Sequence, residues 1–218
     1  EKLPDAIKSF VYSVARHLYI ESVYDARYGR VIQGAKLDHL ERFKAFLKVY
    51  DEFVTREGNQ VDVATLNYDG LLYAHFLGSL YHDTERSQRK MFANFGGALV
   101  DGFDSNGFAL RNLQEGNEKG LGSYMHLHGT PLFYDGDGAV CKGSAFGRSK
   151  SKLPSHHLVL THVKHKKTVI ERSSILKEYW EHLDICINKA QEIILFGYSG
   201  CDEHLNERIR PHKKPLRI

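Results

Sequence analysis

Residues 192–200 read EIILFGYSG, and they give the clearest indication of fold class in this chain of 218 residues. Their first half is a continuous apolar run, which is typical of a strand covered on both faces in a parallel sheet. Apolar residues with helical spacing precede the run at 173–190, and a further helix is predicted to begin at Asp202. This order of helix, strand and helix favours an α/β fold with a mostly parallel, Rossmann-like sheet.

Two stretches upstream repeat the pattern of a short strand that ends in polar residues. Residues 61–69 read VDVATLNYD, and residues 124–130 read YMHLHGT. A further strand is predicted at 157–161. Ligands of open α/β sheets bind beyond the carboxyl ends of the strands. The residues that follow these strands are therefore the first candidates for a site.

The chain is interpreted as a single domain, residues 1–218. Two segments rich in Gly and polar residues, about 82–122 and about 132–156, are interpreted as irregular helical or loop insertions, the second with short strands. Apolar stripes predict amphipathic helices in three further places: 3–18, 37–54 and 71–81.

The composition is that of a soluble globular protein. The chain is 42% hydrophobic and 26% charged, and it has no apolar run long enough to span a membrane. A formal net charge of +3 does not support direct binding to nucleic acid. The three cysteines form no CxxC pair, which excludes a zinc ribbon and a disulfide framework. Residues 1–10 show no signal-peptide pattern. Together with the scattered cysteines, this indicates a cytoplasmic protein with reduced thiols.

Asn67 and Asp69 follow the first predicted strand and are candidate site residues. An amide can orient a water molecule or hold a hydroxyl, and a carboxylate can accept a hydrogen bond from an NH₂ group. Both residue types are also common at helix N-termini, so a structural cap is the alternative interpretation.

His126 and His128 are two residues apart, so both are expected on one face of their strand. Histidine suits proton transfer near neutral pH. It also suits metal binding, for which Asp202 and His204 would be the further ligands. Structural histidines are an equally good interpretation. Gly129 follows, and its missing side chain would let a ligand approach closely.

The turn Gly197-Tyr198-Ser199 resembles a turn that holds ribose or phosphate, because glycine exposes the backbone and the hydroxyls donate hydrogen bonds. The basic cluster at 164–167 is interpreted as a solvated face, with a phosphate contact as the alternative.

In this order, the segments 65–69, 126–130 and 195–199 resemble the motif series of the sirtuin superfamily. The closer resemblance is to the bacterial sirtuin-like NAD-hydrolase domains of antiphage defence systems, and it extends from about Val61 to Ile209. It implies an NAD glycohydrolase that cleaves NAD to nicotinamide and ADP-ribose and depletes cellular NAD during defence.

The resemblance also implies roles for single residues. Asn67 would hold water or ribose at the glycosidic carbon, Asp69 would accept from the nicotinamide carboxamide, and His128 would bind the ribose hydroxyls and act as the base. His126 stands where sirtuins have a glutamate and would lie behind the site. The residues implied to bind the NAD are Thr65, Tyr68, Gly129, Gly197, Tyr198, Ser199 and Asp202.

Two features depart from the sirtuin pattern. Three scattered cysteines cannot form the four-cysteine zinc module, which argues against a protein deacetylase. The family's Gly-rich strand-to-helix turn, which binds the NAD pyrophosphate, has no counterpart in the sequence. Either that turn lies upstream of Glu1, or the NAD site is incomplete.

NAD is therefore expected as the substrate, without a metal. The resemblance further implies a homo-oligomer, a sensor or ATPase partner protein in a defence complex, and no membrane association. Two other classes stay open: a non-catalytic sensor that binds NAD or ADP-ribose, and a histidine-based, metal-dependent hydrolase or nuclease.

Overall fold

The structure is a computed structural model. It describes these residues: 45, 60–68, 99–118, 122–142, 157–160 and 163–217. The helices predicted at 3–18 and 71–81 and the candidate Asp69 lie outside the described residues. Within the stretch 37–54, Ala45 is described and is helical. No helix in the described ranges is long and apolar enough to cross a membrane.

Two short strands form the centre of the described fold. β1 (Val63–Thr65) and β4 (Tyr124–His126) pair in parallel, with Thr65 opposite His126. The N–H of Leu127 extends the ladder by donating to the Thr65 carbonyl oxygen at 2.9 Å. The strands predicted at 61–66 and 124–128 are thus confirmed over these shorter ranges. Because the strands are parallel, the residues that follow them meet at one edge.

Two hairpins and a helix lie in the segments interpreted as irregular insertions. β2 (Phe103–Asp104) and β3 (Gly107–Phe108) form an antiparallel pair, and α1 (Leu110–Glu118) follows. α1 agrees with the helical alternative of that interpretation, and Leu113 anchors it in the core. β5 (Phe133–Asp135) and β6 (Val140–Lys142) form the second hairpin, as predicted for short strands in that segment.

Two consecutive helices pack against each other, and the second also packs against β4. α2 (Val163–Arg172) contains the basic cluster and was not predicted as a helix. α3 (Ser174–Lys189) confirms the helix predicted at 173–190, and Ser173 caps it by accepting a hydrogen bond from the Leu176 N–H. The buried face of α3 consists of Ile175, Leu176, Tyr179, Trp180, His182, Leu183, Cys186 and Ile187.

The apolar run at 192–196 forms only a short strand. β7 (Ile193–Ile194) pairs in parallel with β8 (Leu216–Arg217). The expectation that the run is covered on both faces is wrong, because Ile194 is 62% exposed and Phe196 is 78% exposed.

The last described helix, α4 (Glu203–Ile209), begins as predicted with Asp202 as its N-cap. The strand predicted at 157–161 is not formed, since Leu158 makes one isolated antiparallel bridge with Gly129. Among the described residues the strands pair two by two, in parallel or antiparallel. The described part is therefore an α/β structure of helices and short strand pairs.

Candidate functional site

A cleft with a volume of about 490 Å³ lies beyond the ends of β1 and β4, beside α2 and the start of α4. The predicted site residues that line it are Asn67, Tyr68, His128, Gly197, Tyr198, Ser199 and Asp202. The other lining residues are Leu66, Val159, Lys166, Lys167, Cys201, Glu203, His204 and Glu207. Of these, the sequence points to His204 only as a metal ligand and to the two lysines only as part of the basic cluster.

Thr65 is a predicted binding residue that lies behind the cleft. It is buried, and its Oγ1 accepts a hydrogen bond of 3.0 Å from the backbone N–H of Asn67. This bond fixes the turn that leaves β1, so Thr65 positions Asn67 instead of lining the cleft.

Gly129 also lies outside the cleft lining, and its role differs from the one expected. Its φ is +75°, and a Cβ built on it would lie 1.7 Å from the carbonyl oxygen of His157. The missing side chain therefore lets two backbone segments approach, and the expectation that it admits a ligand is wrong at this position.

Hydrogen bonds from Trp180, Val159 and Tyr68 stabilise the backbone around His128. The Trp180 Nε1–H of α3 donates to the Leu127 carbonyl oxygen at 2.9 Å. The Val159 N–H donates to the His128 carbonyl oxygen at 2.9 Å, and the Tyr68 hydroxyl donates to the Val159 carbonyl oxygen. These bonds connect the cleft residues that follow β1 and β4.

Asp202 is the most constrained side chain of the cleft. Its Oδ1 accepts a hydrogen bond of 3.1 Å from the Leu205 N–H. Its Oδ2 lies 3.2 Å from His128 Nε2 and accepts a hydrogen bond from Lys166 Nζ. Burial alone would raise the pKa of this carboxyl, but the hydrogen bonds from His128, Lys166 and Leu205 hold the pKa well below its usual range.

The turn after β7 forms another wall of the cleft. The Tyr198 hydroxyl accepts from the Asp202 N–H at 3.1 Å and lies within hydrogen-bond distance of Asn206 Oδ1, at 2.8 Å. Burial raises the pKa of Tyr198, so this hydroxyl stays protonated. Gly197 has a φ of +62°, and a Cβ there would meet open space. Its backbone is therefore accessible to a ligand.

Lys166 is a site residue that the sequence indicated only as one member of the basic cluster, with a phosphate contact as the alternative interpretation. The basic cluster was interpreted as a solvated face, which is wrong for Lys166, since it is only 8% exposed. Its Nζ binds Asp202 and lies 5.8 Å from the centre of the Trp180 ring. The helical register of α2 could have found it, because α2 turns Lys166 inward and leaves the neighbouring His165 and Lys167 exposed.

His204 lies on α4, with its ring 4.3 Å from the centre of the Trp180 ring. Its Nε2 is buried. Burial lowers the pKa of His204, and the nearby charges of Arg208 and Lys166 lower it further. His204 therefore presents a neutral imidazole to the cleft at neutral pH.

His126 and His128 do not share a face, contrary to expectation. β4 ends at His126, and the next two residues turn, so strand alternation does not reach His128. His126 is fully buried, with its ring 5.1 Å from that of Tyr124 and 6.0 Å from that of Phe133. Burial lowers the pKa of His126 to about 3, so this ring is neutral.

The metal-dependent alternative needs His126 beside His128, Asp202 and His204. The last three line the cleft, and His126 lies in the core. In the part of the chain that the structure describes, no group of three or more His, Cys, Asp or Glu side chains is arranged to hold a metal ion.

An Asp-His-Ser arrangement lies outside the cleft lining. His157 Nε2 lies 2.9 Å from Asp135 Oδ1, and His157 Nδ1 lies 2.8 Å from Ser173 Oγ. Ser173 is fully buried and caps α3, while the Asp135 carboxylate is exposed. A nucleophile needs access to its substrate, so this arrangement joins β5 to α3 and is structural.

The lowered pKa of Asp202 predicts a pH-dependent contribution to stability. A carboxyl whose pKa is lower in the folded state stabilises the fold above its unfolded pKa of about 3.9. We expect the difference in free energy of unfolding between wild type and Asp202→Asn to be largest above about pH 5 and to shrink as the pH falls below about 4. Urea unfolding between about pH 7 and about pH 3 measures it. A difference that stays constant over this range would contradict the prediction.

No protein-family model, curated protein or solved structure matches this chain.

Proposed function

We propose that this chain is an NAD glycohydrolase, which cleaves the nicotinamide–ribose bond of NAD with water. The observation that supports it best is that residues of all three motifs, separated in the sequence, line one cleft. Asn67, His128 and the turn at 197–199 contribute to it together. The proposal includes a Rossmann-like arrangement of the parallel strands around this cleft.

The reaction requires what the cleft residues provide. Departure of nicotinamide leaves an oxocarbenium-like ribose, which needs a positioned water molecule and contacts to the ribose hydroxyls. The amide of Asn67 holds the water or the ribose. His128 accepts a proton from the water or from a ribose hydroxyl.

The size of the cleft also fits a dinucleotide, and one exposed lysine lines it together with Glu203 and Glu207. Its volume of about 490 Å³ lies in the range of about 300–1,000 Å³ that is usual for small-molecule sites. Lys167 adds an exposed positive charge to the lining, which suits a pyrophosphate. Gly197 presents open backbone on the opposite wall, where the ribose and phosphates of the adenosine half would bind.

The cellular part of the proposal rests on the resemblance to defence NAD hydrolases. It consists of NAD depletion during antiphage defence, a cytoplasmic location, a homo-oligomer and a sensor or ATPase partner. Binding of NAD or ADP-ribose without turnover is the alternative function.

The test is to incubate the purified chain with NAD, without added metal, and to measure nicotinamide and ADP-ribose. We expect equal amounts of both products and a strong loss with Asn67→Ala. Asn188→Ala, an exposed asparagine on α3, is the matched control and should keep full activity. Saturable NAD binding without turnover would replace the proposal by the sensor function, and neither binding nor turnover would refute both.

A further inference from the structure

The contacts of Asp202 point to a role other than binding substrate. Both of its carboxylate oxygens are engaged by groups of the chain, Oδ1 by the Leu205 N–H and Oδ2 by His128 and Lys166. Its side chain is 10% exposed. A carboxylate that is committed in this way has little capacity left for a substrate hydroxyl.

The backbone of Asp202 is held as firmly as its side chain. Its N–H donates to the Tyr198 hydroxyl at 3.1 Å, and its carbonyl oxygen lies 2.9 Å from the same hydroxyl. Asp202 also caps α4, which places the carboxylate at a helix N-terminus. The oxygen that faces His128 is therefore fixed from several directions.

The nitrogen of His128 that meets Asp202 is Nε2. A carboxylate accepts hydrogen bonds and donates none, so the 3.2 Å approach of Asp202 Oδ2 favours a neutral ring with its hydrogen on Nε2, even though the contact does not meet the geometry of a formed hydrogen bond. Nδ1 is then the nitrogen with the lone pair that can accept a proton. The same logic of a carboxylate that orients a histidine recurs in hydrolases of unrelated fold.

We propose that Asp202 is a positioning residue that sets the tautomer of His128, and that Lys166 acts by securing the Asp202 carboxylate. The catalytic part of this inference, that Nδ1 of His128 is the proton acceptor, rests on the proposed NAD hydrolysis. The part that assigns the tautomer of His128 does not depend on NAD hydrolysis.

The first test needs no activity. The full chain is labelled with ¹⁵N-histidine, the His128 signals are assigned with His128→Gln, and spectra are recorded with the pH raised until the ring is neutral. We expect the hydrogen on Nε2 in wild type and a loss of this preference in Asp202→Asn, which keeps a good N-cap for α4. A wild-type ring with its hydrogen on Nδ1, or an unchanged spectrum in Asp202→Asn, would overturn the inference.

The second test uses nicotinamide release. Asp202→Asn is expected to lower kcat at least about 10-fold, with a smaller change in KM, since the ground-state contacts stay in place. The matched control is Asp184→Asn, whose carboxylate binds Arg208 away from the cleft lining and which should keep wild-type kinetics. A loss confined to KM would mean that Asp202 binds the substrate directly and would overturn the role.

Lys166 is tested by a double variant. Because Lys166 acts through Asp202, adding Lys166→Met to Asp202→Asn should lower kcat no further. Additive losses would show that Lys166 acts on the substrate by itself. If no variant and not even wild type releases nicotinamide, the proposed function fails, while the spectra still decide the tautomer.

Discussion

Replacing His128 with alanine is expected to lower kcat for NAD cleavage by roughly 10²- to 10⁴-fold, the usual contribution of a general base. His128 lines the same cleft as Asn67, and its Nε2 lies 3.2 Å from Asp202 Oδ2. Nicotinamide release under saturating NAD measures the effect. Because the Lys166–Asp202 pair remains in the variant, the fold should be kept, and an unchanged urea midpoint checks this.

The matched control for this change is His165→Ala. His165 lies on α2 next to Lys166, and its side chain is exposed. Its replacement should leave both kcat and stability as in wild type. Full turnover by His128→Ala would contradict the role of His128 as the base, whatever the wild-type rate.

Replacing Gly129 with alanine is expected to cost about 3 kcal/mol or more in free energy of unfolding. Two effects add at this position: a φ of +75° that side chains disfavour, and a Cβ that would lie 1.7 Å from the His157 carbonyl oxygen. The His157 carbonyl oxygen belongs to the backbone, so it cannot move away without disturbing the neighbouring bridge between Gly129 and Leu158. Urea unfolding at equilibrium measures the loss.

Gly138 provides a close control for Gly129. Its φ is +87°, but a Cβ there would meet nothing within 4 Å. Gly138→Ala should therefore show the conformational cost alone, about 1 kcal/mol. Equal losses at the two positions would show that the contact with His157 contributes nothing.

Much of the described secondary structure could be predicted from local pattern. The apolar stripe of α3 is visible in consecutive residues, since helix spacing repeats within a few positions. The same holds for β1, for β4 and for the start of α4 at Asp202. The bounds of helix α1 could not be predicted within its insertion, because its polar sequence contributes mainly one core residue, Leu113.

Only part of the candidate site could be predicted from local sequence pattern. The cleft-lining positions of Asn67, His128 and the turn at 197–199 agree with their places after predicted strands. Strand alternation predicted that His126 and His128 share one face. This is wrong, because β4 ends at His126 and alternation does not extend to His128. The apolar run at 192–196 likewise suggested full burial, yet Phe196 is exposed.

The sequence by itself determined the positions of α3, α4, β1 and β4 and the polar residues that follow the two strands. Only the tertiary structure decided which of those residues meet. Lys166 and Asp202 are 36 positions apart, and Trp180 reaches the carbonyl oxygen of Leu127 across 53. Local periodicity tells which face of a segment is buried, but the partner of a buried charge depends on where another segment packs. The contacts of Asp202 with Lys166 and with His128 therefore emerged only from the folded chain.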